Sequence, residues 1–91
     1  MQSQTYTGYL CGNLRDTEFD PKILIKDIDP NTELGRDHAW VGLTSELDKI
    51  RPEGHKRPIK ITFTATLKPY KKGGTKVQYT FKNITNIQRT D

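Results

Sequence analysis

A strictly alternating stretch in the C-terminal half does most to limit what this chain can fold into. From Ile59 to Lys68 the sequence reads IKITFTATLK, in which every second residue is apolar. Successive side chains of a β-strand point to opposite faces, so the stretch predicts a strand with one apolar face and one face of lysine and threonine. We expect the apolar face to line a core, and we interpret the other face, which includes Lys60, as solvated.

The residues after this strand predict a hairpin with a second strand at Val77–Ile84. A two-residue loop on the glycines at 73–74 would bring Lys82 into the core, because residues directly opposite in a hairpin share a face. A three-residue loop keeps the apolar residues of both strands together. We therefore predict an odd-length loop with glycine in the left-handed conformation, or a bulge near Pro69. The predicted pairs are Leu67 with Tyr79 and Ala65 with Phe81.

The N-terminal half predicts three further strands and one short helix. Gly8 and Gly12 interrupt the first strand, and glycine within a strand often marks a bulge or a bend. In TSELDKI the apolar spacing changes to i, i+4, i+7, which suits one or two helical turns with Thr44 or Ser45 as the cap. The five predicted strands are Gln4–Leu14, Lys22–Ile28, His38–Leu43, Ile59–Tyr70 and Val77–Ile84, with the helix between the third and the fourth.

Length and composition limit the class of protein. The 91 residues make a single small domain, 1–91, and a chain this short buries only about 60–65% of its unfolded surface. The single Cys11 cannot form an internal disulfide, which favours a reducing, cytoplasmic setting. We expect no membrane span, because no apolar stretch reaches the necessary length, and no secretory signal, because MQSQTYTGYL is neither basic nor apolar enough.

Charge is distributed unevenly along the chain. Residues 1–50 carry five basic and nine acidic groups, whereas residues 51–91 carry ten basic and two acidic groups, so the two parts have net charges of −4 and +8. The acidic groups concentrate between Asp16 and Asp37. A basic segment of this kind favours a polyanionic partner, although a solubilising surface would produce the same pattern.

The element order β-β-β-α-β-β, with bends marked by glycine, resembles the OB-fold, a five-stranded Greek-key barrel with a short helix between strands three and four. The run DHAWV, the amphipathic turn after it and the strand KITFTATLKPY are similar to small single-domain OB proteins of phages and mobile elements that bind single-stranded DNA. The resemblance implies a role in DNA replication. An SH3-like barrel, which has five short strands and a shorter turn in place of the helix, is the alternative fold.

The resemblance also implies where a ligand would bind. OB-folds bind oligonucleotides across strands two and three, between the one–two loop and the four–five loop. On this chain the face would carry Trp40, His38 and Lys26, with one of Tyr6 or Tyr9. Cations would neutralise phosphates and aromatic rings would stack on bases. The residues implied for binding single-stranded DNA or RNA are Trp40, Tyr70, Lys68, Lys71, Lys72, Lys76, Lys26 and His38.

The one–two loop argues against this site. RDTEFDP contains Arg15 but also Asp16, Glu18 and Asp20, and an acidic wall repels phosphate. Either this loop turns away, or the site lies toward strands four and five, or the acidic loop contacts a protein partner. Trp40 is exposed only if its two neighbours in the strand face the core, and the reverse orientation would bury it.

Two functions of different classes follow from these observations. The first is a non-catalytic module that binds single-stranded nucleic acid with little sequence preference. The alternative is a protein-interaction adaptor or inhibitor that docks on a larger replication or nucleic-acid enzyme, with the acidic segment Asp16–Asp37 as the contact. We expect no enzymatic activity, cofactor or metal, because no motif surrounds Cys11, His38 or His55 and no Cys/His pair has zinc spacing.

Overall fold

The computed structural model describes residues 3–15, 18–52, 57–71 and 77–90. They form five antiparallel strands, curled into a half-barrel, and one short helix. This confirms the mostly β fold and the position of the helix after the third strand. The elements are β1 (Gln4–Arg15), β2 (Lys22–Asp29), β3 (Ala39–Gly42), α1 (Ser45–Ile50), β4 (Ile59–Lys71) and β5 (Val77–Arg89).

The strands lie in the order β3-β2-β1-β4-β5, so β1 is central. The sheet curls until β3 and β5, the strands at its two edges, come into contact. Arg36, in the connection between β2 and β3, reaches across this junction. Its Nη2 donates a hydrogen bond to the backbone carbonyl of Tyr79 on β5, at 3.0 Å. The bond joins the two ends of the curled sheet.

Three aromatic rings pack together across β1, β4 and β5. Tyr6 stacks on Phe63, with ring centroids 5.7 Å apart, and meets Phe81 edge-on at 4.8 Å. Phe63 and Phe81 are 5.3 Å apart, also edge-on. Such pairs contribute about 0.5–1.5 kcal/mol each beyond the burial of their surface. The apolar face predicted for β4 is confirmed, because Ile59, Ile61, Phe63, Ala65 and Leu67 are all buried.

The hairpin of β4 and β5 has the predicted faces but not the predicted register. Leu67 lies opposite Phe81 rather than Tyr79, and Pro69 lies opposite Tyr79. The difference is two residues, and because strand side chains alternate with period two, an even shift keeps Tyr79 and Phe81 on their predicted apolar side. The turn itself, for which the sequence predicts a glycine in the left-handed conformation, lies outside the described residues.

Of the two alternatives for the hairpin, the bulge near Pro69 is not found, because the pairing there is regular. The end of β5 does correct a prediction, because β5 continues to Arg89 instead of stopping at Ile84. Two bulges explain the difference, each with one extra residue in β5 and each with an asparagine at positive φ: Asn83 at 54° and Asn86 at 51°. A bulge interrupts the alternation of apolar and polar residues, so the part of the strand beyond it is not recognised from a period of two. It also lets Ile84 and Ile87, three residues apart, both pack against the core.

Glycines in β1 have different roles. Between Leu10 and Leu14 the pairing with β2 is irregular, which confirms the predicted bend around Gly12. Near Gly8 the extra residue lies in β2 instead, with Asp27 at a φ of 51°. A Cβ atom on Gly8 would lie only 2.6 Å from Cγ2 of Ile25. Gly8 therefore permits a close approach of β2 rather than forming the bulge itself.

The helix begins as the sequence predicts. Thr44 is the N-cap, and its Oγ1 accepts a hydrogen bond from the backbone N–H of Leu47 at 3.2 Å. Leu47 is fully buried, while Leu43 and Ile50 pack against the core at its margin. The i, i+4, i+7 spacing therefore attaches α1 to the barrel through its apolar side.

Candidate nucleic-acid interface

The outer face of the sheet begins with Trp40 on β3. Its neighbours Ala39 and Val41 are each 1% exposed and face the core. Because adjacent strand residues point to opposite faces, Trp40 lies on the outer face, directly opposite Leu24 of β2. It is half-buried. This settles the orientation of β3 that the sequence left open.

A row of three side chains crosses the same face further along the sheet. Tyr9 of β1 lies directly opposite Lys26 of β2 on one side and Lys60 of β4 on the other. Tyr9 is 38% exposed and both lysines are exposed. Opposite residues on one face have Cβ atoms about 4.5–5.5 Å apart, so the Tyr9 side chain is flanked by two lysine side chains. We call these residues the Lys26–Tyr9–Lys60 row.

The row resolves one alternative and adds one residue. Tyr6, the other tyrosine considered for this face, is 4% exposed and belongs to the aromatic core. Lys60, interpreted from sequence as an ordinary solvated residue, is brought beside Tyr9 by the pairing of β1 with β4. Only the strand register reveals this, because the two residues are far apart in the sequence.

Arg15 is a second residue that the sequence did not place on the face. Its guanidinium carbon lies 5.3 Å from the centroid of the Trp40 ring, in a cation–π contact. Arg15 at the end of β1 pairs with Lys22 at the start of β2, and Lys26 lies further along β2. Arg15, Lys22 and Lys26 are the three cations on this part of the face. The outer face of β1, β2 and β3 therefore presents two aromatic residues, each with basic neighbours.

His38 and Lys68 lie away from this row. His38 is exposed just before β3, with Nδ1 3.1 Å from Oδ1 of Asp37, so its charge would be balanced locally when protonated. Lys68 is exposed on the polar face of β4, opposite Thr80. Tyr70 and Lys71 end β4, but their side chains lie outside the described part of the structure. Lys72 and Lys76 also lie outside the described residues.

The one–two loop carries an unexpected apolar group. Phe19 is 91% exposed, and its neighbours Glu18 and Asp20 are exposed as well. Oδ2 of Asp20 lies 3.1 Å from Nζ of Lys22. We call Glu18–Asp20 the acidic–aromatic segment. The sequence showed its charge, but a phenylalanine in a loop gives no sign of whether it packs inward.

Cys11 offers little chemistry in its present environment. It is buried, and its Sγ lies 3.8 Å from the backbone carbonyl of Tyr9. Burial raises the pKa of the thiol, and the nearby Lys26, which lowers it, and Asp27, which raises it, are smaller influences. The neutral thiol is a weak nucleophile. Among the described residues, no three His, Cys, Asp or Glu side chains come together as a metal site would require.

Comparisons with protein-family models, with curated proteins and with solved structures found no match to this chain. Within the described ranges, no helix has the length and apolar character that a membrane crossing requires. The chemistry of the outer face is therefore the basis on which a function can be argued.

Proposed function

We propose that this chain is a non-catalytic module of the OB type that binds single-stranded nucleic acid. The strand order β3-β2-β1-β4-β5, the contact between β3 and β5 and the helix after β3 support this fold. An SH3-like barrel would have a turn where this chain has α1. OB-folds bind oligonucleotides on the face of strands two and three.

The observation that carries the proposal is the position of Tyr9 and Trp40 on one face, each beside cations. Bases stack on aromatic rings with about 1–3 kcal/mol per base, and every base has a flat face to offer. Lys26 and Lys60 flank Tyr9 and would neutralise phosphates on either side of a stacked base. Contacts to phosphate carry no sequence information, so this arrangement favours little sequence preference.

The hairpin lysines extend the proposed path. Lys68 lies on β4, and Lys71, Lys72 and Lys76 follow it in the sequence with Tyr70. The one–two loop and the four–five loop lie at opposite ends of the paired strands β1 and β4, because these strands are antiparallel. A strand of nucleic acid that crosses the face would then contact the basic hairpin at one end only.

Fluorescence anisotropy tests the proposal directly. The probe is a labelled oligo-dT of about 30 nucleotides, enough for more than one OB site. Trp40 is the only tryptophan, so its emission reports on the face itself. We expect quenching on binding and an affinity that falls with salt, with a slope of about −0.7 per neutralised phosphate. If oligo-dT, the equivalent RNA and duplex DNA all fail to bind at low salt, the proposal is wrong.

The adaptor hypothesis has one observation in its favour, which is the exposure of Phe19 within the acidic loop. Aromatic residues that become buried on association are typical anchors of protein interfaces. Charge reversal separates the two functions. If the partner is nucleic acid, charge reversal at Lys71 and Lys72 should abolish binding to it. If the partner is a protein, charge reversal at Asp16, Glu18 and Asp20 should abolish binding to that protein.

A further inference from the structure

The acidic–aromatic segment has a simple pattern of charge and shape. Phe19 is 91% exposed, so it contributes almost nothing to the core of its own chain. Glu18 and Asp20, on either side, are exposed carboxylates. The segment therefore presents an aromatic ring between two negative charges.

The Lys26–Tyr9–Lys60 row presents the opposite pattern. Tyr9 is a partly exposed aromatic residue between two exposed lysines on the neighbouring strands. The backbones of the two lysines are two strand spacings apart, about 10 Å. Residues two apart in a chain, such as Glu18 and Asp20, are at most about 7 Å apart. Flexible lysine side chains cover this difference, so both ion pairs can form around one pair of stacked rings.

The acidic–aromatic segment is too far from the Lys26–Tyr9–Lys60 row of its own chain to pair with it. It projects from the end of the sheet where Arg15 pairs with Lys22, and Asp20 already pairs with Lys22. Lys26 lies four residues further along β2, about 13 Å away at strand spacing. Contact between the two surfaces is therefore available only between different copies of the chain.

We propose that the acidic–aromatic segment of one copy docks on the Lys26–Tyr9–Lys60 row of a second copy. Phe19 packs against Tyr9, while Glu18 and Asp20 pair with the two lysines, and Asp20 exchanges its exposed ion pair with Lys22 for one with the second copy. Because every copy carries both surfaces, the contact can be made twice and close a two-fold dimer. One consequence rests on the proposed function: a nucleic-acid strand and the second copy would compete for the same row.

Sedimentation velocity of the full chain at low salt tests the contact without any nucleic acid. We expect the average mass to rise with protein concentration and to fall again as salt is added, because both ion pairs are screened. Phe19→Ala should weaken association roughly tenfold or more, as for an interface anchor. Glu18→Lys should do the same, whereas Glu46→Lys, an equal charge change at an exposed position on α1, should not.

A charge exchange gives the most specific test. E18K/D20K in one copy and K26E/K60E in another should each abolish self-association. A mixture of the two variants should associate again, since the reversed segment now meets a reversed row. Recovery only in the mixture supports the proposal, and no recovery overturns it.

Three other results would overturn the contact. The wild-type chain could stay monomeric at every concentration and salt. Phe19→Ala could weaken oligo-dT binding of a monomeric protein, which would assign Phe19 to the nucleic acid. It could also weaken binding to a different protein without any self-association. Sedimentation velocity uses no oligonucleotide. If the chain does not bind nucleic acid, the sedimentation results still show whether two copies of the chain associate.

Discussion

The guanidinium of Arg15 lies over the indole of Trp40, with its central carbon 5.3 Å from the ring centroid. The contact spans three strands, because Arg15 ends β1, Trp40 is in β3 and β2 runs between them. A cation over an exposed ring contributes about 0.5–1 kcal/mol. The contact also covers part of the surface on which a base would stack.

Removal of this cover should be visible in the fluorescence of Trp40. In Arg15→Ala we expect acrylamide to quench the emission more strongly, because the ring is more accessible to solvent. The free energy of unfolding should fall by about 0.5–1 kcal/mol. Arg15→Lys should retain part of the contact and serves as the matched control. Unchanged quenching in both variants would show that Arg15 does not shield the ring in solution.

The stacking role of Tyr9 is tested by truncation. Tyr9→Ala should weaken oligo-dT binding by about 5- to 150-fold, the loss expected when one stacked base is released. Tyr9→Phe keeps the ring and should bind nearly as well as wild type. Anisotropy titrations of the three proteins provide the comparison. Equal affinities for Ala and wild type would remove Tyr9 from the interface.

The two lysines of the row are tested through salt dependence. The variant K26Q/K60Q should lower the steepness of the salt slope by about 0.7 for each lost phosphate contact. Lys49 is exposed at the end of α1, off the sheet, so K49Q removes one charge without touching the row. Affinity measured over a range of salt distinguishes them. A slope that changes equally in both variants would indicate only a general charge effect.

Gly8 should tolerate no side chain. In Gly8→Ala the new Cβ would lie 2.6 Å from Cγ2 of Ile25 and 3.2 Å from the carbonyl oxygen of Lys26. Overpacking of this kind costs about 1–3 kcal/mol. Gly42→Ala is the matched control, since nothing lies within 4 Å of its Cβ position. Urea denaturation of both variants measures the difference, and equal stabilities would contradict the close approach of β2.

Stability should decline at alkaline pH. Burial raises the pKa of Cys11 above its ordinary value of 9.0, and burial also raises that of Tyr6 above 10.0. The two groups therefore lose their protons at a lower pH in the unfolded chain than in the folded chain. The free energy of unfolding has its full value below pH 9.0 and falls as the pH rises toward the folded pKa values. Denaturation at a series of pH values should show this decline, and Cys11→Ala should make it shallower. A decline identical in Cys11→Ala would exclude the thiol as a source.

Local patterns in the sequence determined most of the fold. Alternation with period two identified β4 and assigned each of its side chains to a face, and the change in period identified α1. These patterns depend only on the geometry of neighbouring residues, so they can be recognised without knowledge of the tertiary contacts. The apolar side of β5 at Tyr79 and Phe81 could be predicted for the same reason, although the register itself was wrong by two residues.

The candidate site was only partly predictable. The OB resemblance implied Trp40 and Lys26 on the outer face, but the sequence left the orientation of β3 open, and only the structure places Trp40 there. The bulges at Asn83, Asn86 and Asp27 were not expected, because a positive φ at a polar residue leaves no periodic trace. The exposure of Phe19 was also not expected.

The sequence by itself therefore determined the order of the five strands and the helix, their approximate positions, and which side of β4 is apolar. Tertiary structure alone decided that Tyr9 rather than Tyr6 faces outward, that Lys60 lies beside it and that Arg15 covers Trp40. The physical reason is that strand pairing is non-local. The register between β1 and its two neighbours depends on bulges and on the close approach at Gly8, and the register sets which distant side chains meet.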